Sequence, residues 1–531
     1  MTNWLRSLPL LYLLILLPAC SATPRIENVL LISLDTTRTD FLDLGQGGRA
    51  WTPELRRFAA GSWVFANAYS PIPQTLPAHL AAFSGQLPHQ LGVFGNESVY
   101  DGRQPLLQQV LQRRGWDTAG IVSLGTLSAA TGFARGFRHF SEPPEGGEHF
   151  FTPAAQVTDM AATRLEHFKN KKSLLFVHYS DPHTPYAAPG AEGRFTIELD
   201  QQPVAAFNAY TGAFVRLRLA LAPGTHRLRL RAQAPARDFD YFIIRRLQAQ
   251  NGTLQELQNL EYSAEHYGGS HLLRGSEGSA VIRCRVPGEI QLFQVIPILT
   301  ARAALEQYRR EVEYLDRQLG RLLRALERSP AAGRTAVVVF ADHGEGLGER
   351  EGYWGHARYL NRQFIHVPLI VRLPAEAPRR FAQPVGLTAI APWLLEALAI
   401  EGSPLPPAGV SLRDLRRQRT GESPLVSFTF APAAVLDRCS VIRWPFQLIL
   451  NRNPKTGEET REYYDLRLDS FRKLSAIPPG VLFRQEPMLR RQFEESLTLW
   501  RAAFARRGLR SGTPSRRHLE KLKALGYVNL P

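Results

Sequence analysis

The chain has 531 residues, 44% of them apolar, which is too long for one ordinary domain and too apolar for a disordered protein. Lys and Arg number 64 against 48 Asp and Glu, a formal charge of +16. The Arg residues are dispersed and form no long basic block, which argues against nucleic acid and keeps an anionic lipid, polysaccharide or small substrate.

At the N-terminus Arg6 precedes an apolar run, Leu8 to Leu17, that ends in Leu17-Pro18-Ala19-Cys20. A positive start, a short apolar stretch and small residues before a cut predict a secretory signal over 1–19. The run is too short to span a bilayer comfortably. Its ending resembles a bacterial lipobox, so Cys20 is the expected lipidation site; a plain secretory signal that happens to contain Cys20 is the alternative. The expected location is extracytoplasmic, as a bacterial lipoprotein in the periplasm or on the outer membrane, anchored through Cys20. The remaining cysteines, Cys284 and Cys439, form one disulfide or are both free, and no Cys spacing looks like a zinc site.

Asn28-Val-Leu-Leu-Ile-Ser-Leu34 is nearly continuous in apolar residues and suits a strand buried on both faces. Pro53 to Ala60 and Leu106 to Arg114 read as helices, the second stopped by Gly115. Thr118 to Ser123, Leu174 to Tyr179 and Ala336 to Ala341 are further strands. The alternation predicts an α/β fold with a mainly parallel central sheet sandwiched by helices. Ligand sites in such folds lie at the carboxyl ends of strands. Asp35, Asp181 and Asp342 each fall just past one, so the three are expected to converge at one sheet edge.

From 191 to 301 the texture changes. Phe195-Thr-Ile-Glu-Leu, Phe214-Val-Arg-Leu-Arg-Leu, His226-Arg-Leu-Arg-Leu-Arg and Val281-Ile-Arg-Cys-Arg-Val alternate with period two. With Pro223-Gly224 and Pro287-Gly288 as turns, they predict an inserted antiparallel β-sandwich. It binds glycans or shapes the cleft, or is simply a packing module. The α/β texture returns with an amphipathic helix, Leu305 to Leu326. A catalytic domain is therefore expected over 26–190 and 302–420. A small C-terminal α+β subdomain is expected over 424–531, ending in a helix, His518 to Leu525, stopped by Gly526.

The chemistry gathers at the strand ends. Asp35 opens Asp35-Thr-Thr-Arg38-Thr-Asp40, where a carboxylate binds a cation or simply caps a turn. Thr75, in Thr75-Leu-Pro77-Ala-His79, precedes an apolar helix from Leu80 to Ser84. A hydroxyl there meets unpaired N–H groups and the positive dipole end, which suits an anionic ester, or it is only a helix cap. Asp342-His343-Gly344-Glu345 follows a strand, and adjacent Asp and His side chains can reach one metal. His356 can donate a proton or bind metal, and His183 can hydrogen-bond a substrate oxygen. His178, inside a strand, reads as a satisfied structural histidine.

These segments together resemble sulfatase-type members of the alkaline phosphatase superfamily. The resemblance rests on Asn28 to Asp40, on Thr75 to His79 with Phe83-Ser-Gly85 and Pro88-His89, and on Tyr179-Ser-Asp181-Pro-His183-Thr-Pro185-Tyr186. It extends through Tyr308 to Leu323, Asp342 to Glu345, Gly355-His356, Val367-Pro-Leu-Ile370, Tyr464-Asp-Leu466 and Leu522 to Tyr527. It implies one divalent metal ion (Mn, Zn or Ca) on Asp35, Asp342 and His343, with Thr75 as nucleophile and ligand. It also implies Asn96 and His183 as substrate contacts and His356 as the group facing the leaving alcohol. His343, where Asn is the alternative, leans toward manganese or zinc. Arg38 and Asp40 match the opening motif and brace the loop.

One departure matters. Formylglycine sulfatases carry Cys or Ser in a Cys/Ser-x-Pro-x-Arg motif, whereas this chain has Thr75-x-Pro77-x-His79. That form resembles phosphodiesterase and nucleotide pyrophosphatase relatives. The expected function is a metal-dependent ester hydrolase acting on phosphodiester or phosphonate-type anionic esters, on a glycan or lipid. The alternatives are a sulfuric ester hydrolase, a phospho-headgroup transferase and a non-catalytic glycan-binding lipoprotein.

Overall fold

The structure is a computed structural model that describes residues 25–502 apart from 45–50, 144–150, 212–216, 264–269, 408, 418–424, 430–435, 469–486 and scattered positions after 487. Cys20, the signal and the expected helix at 518–525 lie outside the described residues.

The central sheet has eight strands. Their order is Arg379–Phe381, Trp63–Phe65, Leu369–Arg372, Thr335–Phe340, Asn28–Leu34, Ser173–Tyr179, Asp117–Val122 and His139–Ser141. The five from Thr335–Phe340 to His139–Ser141 are parallel to one another, and Leu369–Arg372 runs antiparallel to both its neighbours. The apolar run at 28–34 is explained by its central place: Val29 and Leu31 face one core, while Leu30, Ile32 and Leu34 face another. Helices Thr75–Ser84, Leu107–Arg113 and Ile390–Ala397 cover the first face. Helices Pro53–Ala60, Ala154–Leu165 and Ala301–Glu327 cover the second.

Between 194 and 299 the chain forms two antiparallel sheets, of six and four strands, around one core that includes Phe195, Ile197, Leu228, Leu230, Phe242 and Ile282. Neither expected turn reverses the chain. Pro287-Gly288 lies inside one long strand, Glu277–Leu292. Pro223 interrupts two segments, Leu217–Leu221 and Gly224–Gln233, that pair in line along the same side of that strand. A Pro-Gly pair is tolerated there because an irregular register leaves no ladder bond for the proline to donate. A separate four-stranded antiparallel sheet, Leu425–Thr429 to Glu459–Asp465, follows the α/β part. Cys284 and Cys439 sit in different regions, both buried and both free.

Candidate active site

Three central strands deliver their carboxyl ends to one place. Asp35 follows Asn28–Leu34, and its N–H is held by the Tyr179 carbonyl at 2.8 Å. Asp342 and His343 follow Thr335–Phe340. The ligand atoms of Asp35, Asp342 and His343 lie within 4.8 Å of one another, and all three residues are fully buried. His343 Nε2 is 3.4 Å from Asp342 Oδ2 and 3.7 Å from Asp35 Oδ1. His343 Nδ1 donates to the Gly344 carbonyl at 2.9 Å, which leaves the Nε2 lone pair aimed at the carboxylates. Gly344 is required here, since a Cβ would fall 2.0 Å from the Gln363 carbonyl oxygen.

The residues fit a divalent cation. Both carboxylate oxygens of Asp35 and Oδ2 of Asp342 are buried with no hydrogen-bond donor. Acceptors do not stay orphaned in a dry interior without a counter-charge. Burial would raise Asp35, but contact with His178 and the neighbouring His343 reverse this and hold it below the ordinary carboxylate range. Burial and the adjacent Asp35 push Asp342 well up. Burial, reinforced by His356, drives His343 down to about 3, which keeps it neutral and able to bind metal.

Thr75 is the first residue of the helix Thr75–Ser84, and its Oγ1 is 3.4 Å from His343 Nε2. The helix end differs from expectation. The Leu76 N–H is taken by Asn96 Oδ1 at 2.8 Å, and Pro77 has no N–H. The terminus therefore offers a dipole but few free donors. Instead Asn96 Nδ2, fixed in orientation by the bond its Oδ1 accepts, is buried without a partner.

The histidines close the site. The His356 ring centre is 4.5 Å from that of His343 and 5.1 Å from that of His183. His183 Nδ1 donates to the Thr184 carbonyl at 2.7 Å. His356 Nδ1 is 3.2 Å from Glu345 Oε2. Burial alone would lower His356, but the Glu345 carboxylate outweighs it and holds the imidazolium above its usual range. Arg38 ties the loop together, pairing with Asp40 at 2.7 Å and with Glu349, and donating to the Glu345 carbonyl at 3.2 Å.

Asp181 does not join the cluster. Its Oδ1 accepts from the Ala154 N–H at 3.1 Å, capping the helix Ala154–Leu165, and burial pushes its pKa up to about 7. A strand-end carboxylate has two destinations, and the neighbouring helix N-terminus captured this one. His178 is not a satisfied structural residue either. Its Nε2 contacts Asp35 Oδ2 at 3.3 Å, and neither ring nitrogen completes a hydrogen bond. Two residues missed by sequence reasoning also support the site. His79 Nδ1 donates to the Thr75 carbonyl at 2.7 Å and lies 3.5 Å from Asp342 Oδ2, while its Nε2 meets Ser33 Oγ at 2.8 Å. Tyr308 OH donates to the Thr36 carbonyl at 2.8 Å. Both lie in segments that carry the resemblance, Thr75 to His79 and Tyr308 to Leu323, but the resemblance gives neither side chain a role.

The Sulfatase family matches residues 27–400. This chain belongs to the sulfatase family. Members of this family generally bind a divalent metal, in keeping with the Asp35, Asp342 and His343 cluster. Among similar curated proteins is an N-acetylglucosamine-6-O-sulfatase from Bacteroides thetaiotaomicron, 24% identical over 370 residues. The match covers 65% of this chain and 63% of that relative's length. Among solved structures, a protein in complex with its substrate D-glucosamine-2-N,6-O-disulfate aligns with TM-score 0.58 at 17% identity, over 93% of this chain and 100% of the other. A phosphonate monoester hydrolase from Silicibacter pomeroyi aligns with TM-score 0.54 at 17% identity, over 92% and 96%. These structural likenesses are likenesses of fold, that of the alkaline phosphatase superfamily.

Proposed function

We propose that this sulfatase-family chain is a metal-dependent hydrolase of anionic esters, acting on phosphodiester or phosphonate-type substrates with Thr75 as nucleophile. The observation that carries the reading is Thr75 itself, a threonine hydroxyl on the first turn of a buried helix and beside the Asp35, Asp342 and His343 cluster. Those three residues, with Thr75, would hold a divalent cation, which would supply the positive charge that favours the alkoxide form of Thr75 and an anionic ester.

Thr75 Oγ1 attacks phosphorus in line while the bond to the departing alcohol breaks. Asn96 Nδ2 and His183 hold the non-bridging oxygens. His356, kept protonated by Glu345, gives its proton to the alcohol. Water then attacks the threonine ester, giving one proton to the now neutral His356, and the bond to Thr75 Oγ1 breaks to release the alkoxide with which the cycle began. The residue pattern at 6–20 supports an extracytoplasmic protein lipidated on Cys20; fatty-acid labelling that is lost in Cys20→Ala tests this.

A panel of aryl sulfate, phosphate mono- and diesters and phosphonate monoesters, run with manganese, zinc or calcium, tests the function. Fastest turnover of diesters or phosphonates, with phosphoryl trapped on Thr75, is expected. The second reading is a sulfuric ester on a glycan, favoured by the name of the curated relative. Turnover of aryl sulfate alone would select it, and no turnover of any ester by metal-loaded protein would sink both.

A further inference from the structure

Two side-chain amides flank Thr75, and each is left with its donor end unused. Gln74 sits at the cap position of the helix Thr75–Ser84. Its carbonyl accepts the Ala78 N–H at 3.1 Å, but its side chain makes no bond to the helix. The side-chain cap comes from Asn96, whose Oδ1 accepts the Leu76 N–H at 2.8 Å. Gln74 Oε1 turns to Asn96 instead and accepts its backbone N–H at 3.2 Å. The two residues thus clasp each other around the nucleophile, one rising from the residue before Thr75 and the other holding the residue after it.

In both amides the oxygen is the atom spent, so the NH2 group is left over. Gln74 is 1% exposed and Asn96 0%. Gln74 Nε2 and Asn96 Nδ2 are buried, and neither has an acceptor among the described residues. A buried donor without an acceptor costs stability, and a fold that keeps two of them side by side at a reacting hydroxyl keeps them for an acceptor that arrives from outside.

Little else on this side of Thr75 can serve that acceptor. The Leu76 N–H is spent on Asn96, the Ala78 N–H on Gln74, and Pro77 has none. His79 Nδ1 is spent on the Thr75 carbonyl, and its Nε2 meets Ser33 Oγ. Thr75 Oγ1 is itself 3.4 Å from His343 Nε2, so the clasp stands beside the Asp35, Asp342 and His343 cluster.

We propose that Gln74 is a further catalytic residue, whose Nε2 donates alongside Asn96 Nδ2 to a non-bridging oxygen of the ester as Thr75 attacks. The inference deepens the hydrolase reading and rests on Thr75 as its nucleophile. Donors fixed before the reaction need no reorganisation when charge moves onto the oxygen they face. Gln74 also keeps the other donor in place, since it holds the Asn96 backbone.

The test uses the full metal-loaded chain and an aryl phosphodiester, bis(4-nitrophenyl) phosphate. Gln74→Met and Gln74→Leu keep most of the bulk and remove both polar ends. Each should lower kcat about a hundredfold with KM little changed. A kcat within about twofold of wild type in either folded variant would overturn the proposal. An Asn96→Ala background separates donation from bracing. There, adding Gln74→Met should lower kcat by about a further tenfold or more. No further loss would show that Gln74 acts only by holding Asn96, and would overturn the donor role. Binding gives a readout free of turnover. Sodium tungstate, a tetrahedral oxyanion, should raise the unfolding temperature of the wild type above a sodium chloride control of equal ionic strength. That gain should shrink in both Gln74 variants; an equal gain in all three proteins, or none in any, would overturn the contact. A wild type that hydrolyses no ester, yet is stabilised by tungstate only when Gln74 is present, would break the hydrolase reading and leave the oxyanion contact standing.

Discussion

The carboxyl edge of the central sheet and the β region at 194–299 both enclose side chains but differ in what they enclose. At the sheet edge, Asp35, Asp342, His343, His79 and His178 are all fully enclosed, and several of their polar atoms have no partner. In the β region the core is aliphatic and aromatic. Its ion pairs lie on the outside, Arg283 with Glu256 at 3.2 Å and Arg274 with Glu261 at 3.0 Å, and Arg245, the one buried arginine among its described residues, donates to Gln294 Oε1 at 2.7 Å. A fold places charge where water can solvate it, so enclosed, unmatched charge marks the part that gives up stability for chemistry.

The largest expected effect lies at the sheet edge. Thr75→Ala should lower kcat on activated aryl diesters by at least about a thousandfold, with little change in the far-ultraviolet circular dichroism. Near-normal turnover would remove Thr75 from the mechanism and leave the buried cluster as a binding site only.

Next is the metal. Asp342→Asn should reduce bound divalent ion, measured by elemental analysis, from near one per chain to a small fraction. Chelation of the wild type should lower its unfolding temperature, and the same treatment should barely move the variant. Equal sensitivity to chelator in both proteins would place the ion elsewhere.

The β region should respond in the opposite sense. Phe195 has 0% exposure, and Phe195→Ala should cost about 3–5 kcal/mol in denaturant unfolding while metal content stays unchanged. Loss of metal in that variant would show that the two regions are one energetic unit.

The smallest effect belongs to a surface pair in the β region. His226 Nδ1 and Asp200 Oδ2 are 2.7 Å apart, and the hydrogen bond to Asp200 raises the His226 pKa. The imidazolium contribution is complete below its unfolded value of 6.5 and is lost as pH rises through the higher folded value. Asp200→Asn should therefore destabilise by less than ~1 kcal/mol at pH 6, and the difference from wild type should shrink by pH 8. A difference that grows with pH would contradict the pairing.

Much of the fold was legible because the strands carry their own signature. Asn28–Leu34 and Thr335–Phe340 are buried on both faces and read as continuous apolar runs, and the strands at 194–299 alternate because only one face is buried. That Asp35, Thr75, Asp342 and His343 come together was legible because each sits at a strand or helix end, and those ends meet at one sheet edge. The errors share a cause. Asp181 looked equivalent to Asp35 because the sequence shows the strand end but not the helix N-terminus beside it. Pro287-Gly288 looked like a turn because local residues do not reveal that the partner strand absorbs the irregularity.

By itself the sequence determined the main element types, the α/β class and the candidate site residues, since periodicity and strand-end motifs are local properties. Only the tertiary structure decided which charges share a pocket. The parallel pairing of Asn28 with Ser173 and Thr335 brings Asp35, His178 and His343 to one edge from positions up to 308 residues apart. The clasp of Gln74 on Asn96 likewise joins a helix end to a turn 22 residues further on. Both are long-range outcomes of packing, which no local spacing encodes.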